Sequence, residues 1–290
     1  MLSNIKNNSK KVDKFLKSYF RKQDFSNLIL PMKYGTLDSG KKIRSSIIYN
    51  TARIFKLSFK QVINVCAAVE CIHSYSLIHD DLPCMDNDKL RRGKPSTHIK
   101  FGESTAILAG NSLLTLAFEI IADKKFNIKS NIKVELIKKL SECVGHTGIA
   151  GGQFLDLSYE KQKIGSSKII DMQKKKTGKL FQFCCLAPAI ISGKKNKIKK
   201  DMSFIGEELG FLFQIADDLL DIKGTKKNVG KPVKKDKKKG KSTIIKLFGY
   251  KKTLQFALKR KKMIINKLNK YGVKSNQLIK TTNFILDRSY

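Results

Sequence analysis

Proline is scarce in this chain, with only five in 290 residues, and tryptophan is absent. Because proline interrupts helices, long helices meet few obstacles here. The chain also has no Asn-Gly or Asp-Gly hairpin turn and no sustained alternation of apolar and polar residues. Apolar residues instead recur at helical spacing, as in Val62, Val65, Cys66, Val69 and Ile72. We therefore expect an all-α protein with about ten or more helices.

Acidic residues are also few, since 24 Asp and Glu stand against 59 Lys and Arg, a formal net charge of +35. Such a charge indicates an anionic partner, which can be nucleic acid, a membrane surface or a small anionic substrate. A/T-rich codons are an alternative source of the lysine excess. The chain contains no recognised DNA- or RNA-binding motif and no basic-aromatic platform, so we expect no specific nucleic-acid partner.

The six cysteines form no Cys-x-x-Cys pair and no Cys/His spacing typical of zinc, which favours free thiols in a reducing cytosol. The N-terminal residues lack the apolar stretch of a secretory signal. The most apolar run, residues 106–122, includes Asn111 and Glu119 and is too polar for a good membrane span. We expect a cytoplasmic protein without a transmembrane segment. We also expect a single domain, 1–290, with a mobile basic loop at about 223–241.

The segment ELGFLFQIADDLLDI, residues 208–222, carries a narrow polar stripe on an otherwise apolar helix. Its members are Gln214, Asp217, Asp218 and Asp221, at positions i, i+3, i+4 and i+7. A helix this apolar is usually buried on most sides, and buried carboxylates repel one another unless a cation neutralises them. An all-oxygen set favours Mg²⁺ or Mn²⁺. The alternative is a solvated helix face.

A second acidic group lies in HDDLPCMDND, residues 79–88, at the end of another apolar helix. Asp80 and Asp81 end that helix, and a bend at Pro83 can bring Asp86 back towards them. Two arginines, Arg91 and Arg92, follow at once and can bind phosphate oxygens bidentately. Acids for a metal beside paired arginines indicate a diphosphate substrate. The alternative, an exposed turn of mixed charge, explains residues 86–92 but does not explain Asp80 and Asp81 at the end of an apolar helix.

With both groups in place, the chain resembles the short-chain trans-prenyltransferases, the farnesyl diphosphate synthase group of the polyprenyl synthetases in their bacterial form. DDLPCMD, residues 80–86, is similar to the first aspartate-rich motif, and LRRGKPSTH, residues 90–98, continues it. FQIADDLLD, residues 213–221, resembles the second aspartate-rich motif, and KTGKL, residues 176–180, the lysine–threonine motif. GKK-I-R, residues 40–44, resembles a basic motif near the N-terminus. The order and spacing of these motifs match those of the family from about residue 30 to the end of the chain.

The resemblance implies a fold and a reaction. The fold is the isoprenoid-synthase bundle of long helices around a central cavity, assembled as a homodimer. Two or three Mg²⁺ ions, for which Mn²⁺ can substitute, grip an allylic diphosphate and stabilise the leaving pyrophosphate. The double bond of isopentenyl diphosphate attacks the allylic cation, and loss of a proton completes the condensation.

The resemblance also assigns roles to individual residues. The metal ligands it implies are Asp80, Asp81, Asp86, Asp217, Asp218 and Asp221. The allylic diphosphate contacts are Arg91, Lys176, Lys231 and Lys241, and the isopentenyl diphosphate pocket comprises Gly40, Lys41, Arg44, His73 and Arg92. Catalytic groups near the cation are Lys176, Thr177 and Gln214. Asp88 is left out of the ligand set because Lys89 stands where the family often has another Asp.

Several positions depart from the family pattern: Ser39, Lys42 and Ser45 in the first basic motif, Lys89, and Lys234 in the basic loop. Lys42 and Ser45 are expected to weaken the loop formed by the first basic motif, and Lys234 to stiffen the later basic loop and shift its closure. None removes a metal ligand or a principal diphosphate contact, so we expect activity to persist.

Product length in the family depends on residues upstream of the first acidic motif, here Tyr75 and Ser76. The bulky Tyr75 is expected to form the bottom of the substrate pocket and to stop elongation of the prenyl chain at C15, giving farnesyl diphosphate. The alternatives are a Tyr75 that only fills the core, and a geranyl or geranylgeranyl diphosphate product.

Three rival functions remain: a class I terpene cyclase, a regulatory subunit without activity and a basic nucleic-acid-binding protein. The cyclases carry N-D-x-x-S-x-x-x-E at the second metal site, where this chain has D-D-x-x-D. Inactive subunits usually lose acidic motifs, and both are intact here. The third rival depends on charge alone.

Overall fold

The computed structural model of the chain is almost entirely helical, which confirms the all-α expectation. It describes residues 2–22, 26–37, 40–223 and 243–287. Over these residues, the extended structure is a two-residue antiparallel hairpin in which Leu90 pairs with Pro95 and Arg91 with Lys94. The expected basic loop, with Lys231, Lys234 and Lys241, falls outside the described residues, apart from its first residue. Ser39 also lies outside them.

The chain forms two compact units. The first comprises Met1–Ala52 and Leu57–Ile137. Its elements in chain order are α1 (Leu2–Arg21), α2 (Ile29–Thr36), α3 (Ile43–Ile54), a 3₁₀ turn (Phe59–Gln61), α4 (Ile63–Asp80), β1 (Leu90–Arg91), β2 (Lys94–Pro95), α5 (Thr97–Phe101), α6 (Glu103–Ala122) and the first part of α7 (Ser130–Val144).

Helix α4 is the centre of the first unit, in contact with α1, α2 and α6. Its residues from Val65 to Val69 are fully buried, as an apolar helix without a polar face requires. Near its C-terminal end, a Cβ on Gly110 of α6 would lie 2.2 Å from His79 Nε2. The absence of a side chain at Gly110 therefore lets α6 approach the helix end that carries the first acidic group.

Helix α6 is buried against α4 on one face only. Its inner side includes Leu113 and Ala117, both fully buried, while Ile107 and Leu108 are about half exposed. Within the described ranges, Glu103–Ala122 is the one helix long and apolar enough to cross a membrane, judged by length and composition. Its packing against α4 identifies it as a core helix of this unit.

The second unit comprises Arg53–Lys56 and Lys138–Tyr290. Its elements after the end of α7 are α8 (Ile149–Ser158), α9 (Ser166–Gln173), a π-helical turn (Lys174–Gly178), α10 (Lys179–Ile191), α11 (Asn196–Lys223), α12 (Ile244–Asn269), a 3₁₀ turn (Gly272–Ser275) and α13 (Asn276–Asp287). A kink divides α12 at Gly249, whose φ of 71° suits glycine.

Close packing of α10 against α11 organises this unit. Phe181 and Phe183 of α10 and Phe211 of α11 are fully buried. A Cβ on Gly206 would lie 2.4 Å from the carbonyl oxygen of Phe181, so the backbones meet where a side chain cannot fit. This contact fixes the start of the apolar half of α11, which carries the second acidic group.

Replacing Gly206 with alanine tests this contact. We expect Gly206→Ala to lower the free energy of unfolding by about 1–3 kcal/mol, because the added methyl group overlaps backbone atoms. The matched control is Gly165→Ala, since a Cβ there meets nothing within 4 Å. Urea denaturation of both variants measures the difference, and equal unfolding free energies would contradict the close-packing account.

Candidate active site

The first acidic group lies where α4 ends and the chain folds back on itself. The backbone N–H of Asp86 donates to the carbonyl of Asp80 at 2.8 Å, and that of Asp88 to the carbonyl of Asp81 at 3.0 Å. Asn87 has a φ of 49° within this turn. The bend expected at Pro83 is therefore present, and it returns Asp86 to the helix end.

Asp81 is buried and paired with Arg91 of the hairpin. The Arg91 Nε lies 3.0 and 3.1 Å from the two Asp81 carboxylate oxygens, and a terminal nitrogen makes a further hydrogen bond. Arg91 also lies 3.6 Å from an Asp88 oxygen. Burial lowers the pKa of Arg91, but the Asp81 hydrogen bond and charge outweigh it and leave the pKa raised. Asp81, predicted to be a metal ligand, and Arg91, predicted to bind the diphosphate, therefore form an ion pair with each other.

A basic cluster lies beside this pair, built from the first basic motif and α4. The guanidinium of Arg92 lies over Gly40, where a Cβ would be 2.6 Å from Arg92 Cζ. One Arg92 terminal nitrogen is 3.5 Å from His73 Nε2. Burial and the charges of Arg44 and Arg92 lower the pKa of His73 well below its ordinary value. The structure therefore brings Gly40, Arg44, His73 and Arg92 together, and exposed Lys41 follows Gly40 directly.

Two of the three departures in this motif, Lys42 and Ser45, make anchoring contacts. Lys42 Nζ lies 3.1 Å from Asp13 of α1 and donates to the Thr36 carbonyl at 2.9 Å. Ser45 donates to Glu70 of α4 through its backbone N–H and its hydroxyl. Glu70 was missed in the sequence because a single acid on an apolar helix carries no pattern.

The second acidic group is held by a chain of side-chain hydrogen bonds. Gln214 Nε2 donates to Asp218 Oδ1 at 2.9 Å, and Gln173 Nε2 donates to Asp218 Oδ2 at 3.0 Å. Thr177 Oγ1 donates to Gln214 Oε1 at 3.1 Å. Asp218 is only 3% exposed, whereas Asp217 and Asp221 are half-buried. Both Asp218 oxygens are therefore occupied by amide donors.

The first three residues of the lysine–threonine motif lie in the π-helical turn, a deviation frequent at functional sites. Lys176 Nζ lies 2.6 Å from Asp156 of α8. A Cβ on Gly152 would lie 2.2 Å from the Lys176 backbone nitrogen, so the α8 backbone packs directly on the turn. Asp156 and Gln173 were not predicted from the sequence.

The residues expected to set product length, Tyr75 and Ser76, lie on α4 about one turn before Asp80. The rings of Tyr75 and His79 meet edge to face with centroids 5.1 Å apart. Burial raises the pKa of Tyr75, and the charge of Asp80 adds to the effect. Ser76 Oγ donates to the His73 carbonyl at 2.9 Å, so its hydroxyl is tied to the helix backbone.

Among the residues that the structure describes, no three His, Cys, Asp or Glu side chains converge as a complete metal cage. Mg²⁺ does not require one, because it usually binds one or two carboxylates and fills its shell with water and phosphate oxygens. Each acidic group supplies carboxylate oxygens without a nitrogen or sulfur ligand, which fits Mg²⁺ or Mn²⁺ and not zinc.

The lowered pKa of His73 predicts a pH dependence of stability. The unfolded chain takes up this proton near pH 6.5, whereas the folded chain does so only at lower pH. Stability from neutral His73 is therefore complete above pH 6.5 and decreases as the pH falls, by up to about 1.4 kcal/mol per pH unit.

The measurement is urea denaturation between about pH 5 and pH 7. His73→Gln, which does not titrate, should show a shallower loss of unfolding free energy on acidification. His146→Gln, at an exposed position, is the control and should retain the original slope. The explanation fails if His73→Gln and the unchanged protein lose stability in parallel.

Comparison with known proteins agrees with these observations. The family model for polyprenyl synthetase matches residues 26–281. The farnesyl diphosphate synthase of Bacillus subtilis is 35% identical over 274 residues, which are 93% of each chain.

Two solved structures share the fold. An FPP/GFPP synthase from Zymomonas mobilis superposes with a TM-score of 0.87 at 33% identity, covering 99% of this chain and 100% of the other. A geranyltransferase from Helicobacter pylori, complexed with magnesium and isoprenyl diphosphate, has a TM-score of 0.82 at 28% identity and covers 99% and 96%. The helical fold, the two aspartate-rich motifs and the family match together identify this chain as a member of the polyprenyl synthetase family.

Proposed function

We propose that the chain is a magnesium-dependent prenyltransferase that condenses isopentenyl diphosphate with dimethylallyl and geranyl diphosphate to give farnesyl diphosphate. The observation that carries this proposal is the pair of aspartate-rich motifs, each near the C-terminal end of a helix, the first paired with Arg91 and the second bound by amide donors. Relatives named farnesyl diphosphate synthase support the reaction.

The reaction breaks the bond between C1 and oxygen of the allylic diphosphate, and pyrophosphate leaves with the electron pair. The isopentenyl double bond then attacks C1 to form the new carbon–carbon bond. Loss of a proton, to the released pyrophosphate, restores a double bond. Negative charge grows on the leaving group, so cations fixed around it lower the barrier.

The acidic residues divide into two kinds by their contacts. Asp80, Asp86, Asp217 and Asp221 would bind Mg²⁺ directly, and two or three ions or Mn²⁺ fit the family's chemistry. Bound Mg²⁺ supplies Lewis-acid stabilisation of the diphosphate oxygens. Asp81 and Asp218 instead hold neighbouring side chains, since Asp81 accepts from Arg91 and Asp218 from two glutamines. That these two positions act through such contacts is our refinement of the six-ligand expectation.

The polar groups of the second unit suit a position near the allylic cation. Thr177 and Gln214 lie in one hydrogen-bond chain, which fixes the direction of their dipoles. Lys176 is held by Asp156 and would bind the allylic diphosphate. Arg91, Lys231 and Lys241 are the other proposed contacts of this diphosphate.

Isopentenyl diphosphate would bind to the basic cluster of the first unit. Lys41, Arg44 and Arg92 carry fixed positive charges, and His73 stays neutral as a hydrogen-bonding group beside Arg92. Guanidinium groups bind phosphate oxygens in bidentate geometry, so two arginines in one cluster suit a diphosphate. This use of positive charge requires no nucleic-acid partner.

We further propose a homodimer. In its support, α6 leaves the apolar side chains of Ile107 and Leu108 about half exposed. Exposed apolar patches often mark protein interfaces, and a second copy of the chain would cover these side chains. Sedimentation velocity separates the dimer from the monomer.

Turnover in the presence of Mg²⁺ tests the proposed reaction. Incubation with isopentenyl and dimethylallyl diphosphates should yield farnesyl diphosphate, and a chelator should stop the reaction. Asp80→Ala and Asp217→Ala should each lower kcat by about a hundredfold or more, because both remove proposed metal contacts. Asp201→Ala, earlier on α11 and paired with Lys267, is the matched control. Near-full activity in either of the first two variants would contradict the metal assignment.

Product length tests the proposed role of Tyr75. Tyr75→Ala should shift the products to chains longer than C15, because removal of the ring deepens the pocket beside α4. Tyr49→Ala serves as the control, since it removes an aromatic ring from another pair, with Phe59, in the same unit. Chromatography of the dephosphorylated products gives the answer. An unchanged C15 product in Tyr75→Ala would leave Tyr75 with a packing role only.

A further inference from the structure

A buried carboxylate lies directly behind the basic cluster of the first unit. Glu70 of α4 is only 3% exposed. Its Oε1 accepts two hydrogen bonds from Ser45, one from the backbone N–H at 3.1 Å and one from the hydroxyl at 2.8 Å. Burial of a carboxylate is costly unless donors or cations compensate it, so this contact is a strong local constraint.

The Ser45 contact fixes the first turn of α3 against α4. Ser45 Oγ also lies 3.3 Å from the Cys66 carbonyl, and Cys66 Sγ lies 3.7 Å from the Ser45 carbonyl. The N–H groups in the first turn of a helix have no partner within the helix, and Glu70 satisfies one of them. Arg44 precedes Ser45 directly, so the same contact determines where the Arg44 backbone lies.

Glu70 is also positioned to act on the rest of the basic cluster. It lies three residues before His73, one turn away on α4. Burial lowers the pKa of Arg92, and the negative charge of Glu70 acts in the opposite direction. Arg92 in turn contacts His73 and covers Gly40. The Glu70 carboxylate therefore has two effects on the basic cluster. It binds Ser45, which adjoins Arg44, and its negative charge favours the charged form of Arg92.

We propose that Glu70, held by Ser45, is a positioning residue for isopentenyl diphosphate. It fixes the start of α3, and with it the backbone of Arg44, in the arrangement that the diphosphate meets. It touches no reacting atom and acts through the basic cluster that Arg44 belongs to. This inference rests on the proposed function, because it assigns the basic cluster to the second substrate.

The negative charge of Glu70 allows a positioning role to be distinguished from a purely electrostatic one. If Glu70 acted only through its electric field, its removal would strengthen the attraction of an anion and lower the KM for isopentenyl diphosphate. If it acts by positioning, its removal releases the cations from their arrangement and raises that KM. The two accounts predict opposite directions.

The experiment measures KM for each substrate separately in Glu70→Gln, which removes the charge and keeps the shape. We expect KM for isopentenyl diphosphate to rise about tenfold, while KM for dimethylallyl diphosphate and kcat change by less than about twofold. Calorimetric titration with isopentenyl diphosphate alone should show the same loss of affinity without turnover. Glu70→Asp keeps the charge and should recover part of it.

A double-mutant cycle tests whether Glu70 and Ser45 act together. Ser45→Ala removes the hydroxyl and keeps the N–H, so we expect a smaller rise in KM of about two- to fivefold. The double variant should resemble Glu70→Gln alone, because residues in one contact are not additive. Fully additive effects would overturn the coupling.

Asn64→Ala is the matched control for loss of a buried polar group on α4. Asn64 Nδ2 donates to the Ile120 carbonyl at 3.0 Å, far along the helix from the basic cluster. This variant should lose stability on urea denaturation and keep both KM values. If the unchanged protein forms no product, the proposed function fails. If it is active but Glu70→Gln has an unchanged or lower KM for isopentenyl diphosphate, the positioning role fails.

Discussion

The constraint on which this structure depends is the cost of a carboxylate in a helical core. Among the described acids that lie almost completely out of water are Glu70 on α4, Asp81 directly after it and Asp218 on α11. Glu70 receives donors from Ser45, Asp81 from Arg91, and Asp218 from Gln173 in another segment and from Gln214 on its own helix. Because an unpaired buried charge is strongly unfavourable, these acids determine where the neighbouring segments must lie.

Helix α4 connects two parts of the proposed chemistry. It carries the buried Glu70, His73 of the basic cluster and, at its C-terminal end, Asp80. His73 and Asp80 are seven residues apart, which corresponds to about 10 Å along a helix axis. A helix buried by α1, α2 and α6 is stiff, so it holds this separation. Its apolar composition is therefore a condition for the site as well as for the core.

Much of the fold and of the site could be predicted from the chain. Few prolines and a helical apolar period predicted an all-α protein, and the period-based stripe predicted that Gln214 and Asp218 share a face, as their 2.9 Å hydrogen bond confirms. Residues outside any pattern could not be predicted. Glu70, Asp156 and Gln173 find partners 20 to 45 residues away in the chain, and spacing rules act over one or two helical turns.

By itself the sequence determined the helical class, the positions of the acidic and basic motifs and the family to which the chain belongs, because these depend on local period and residue type. Only the tertiary structure decided which acid faces which donor. It pairs Asp81 with Arg91, gives both Asp218 oxygens to glutamines and places Ser45 on Glu70. The physical reason is that burial makes each of these groups take a partner, and the partner depends on which helices pack together.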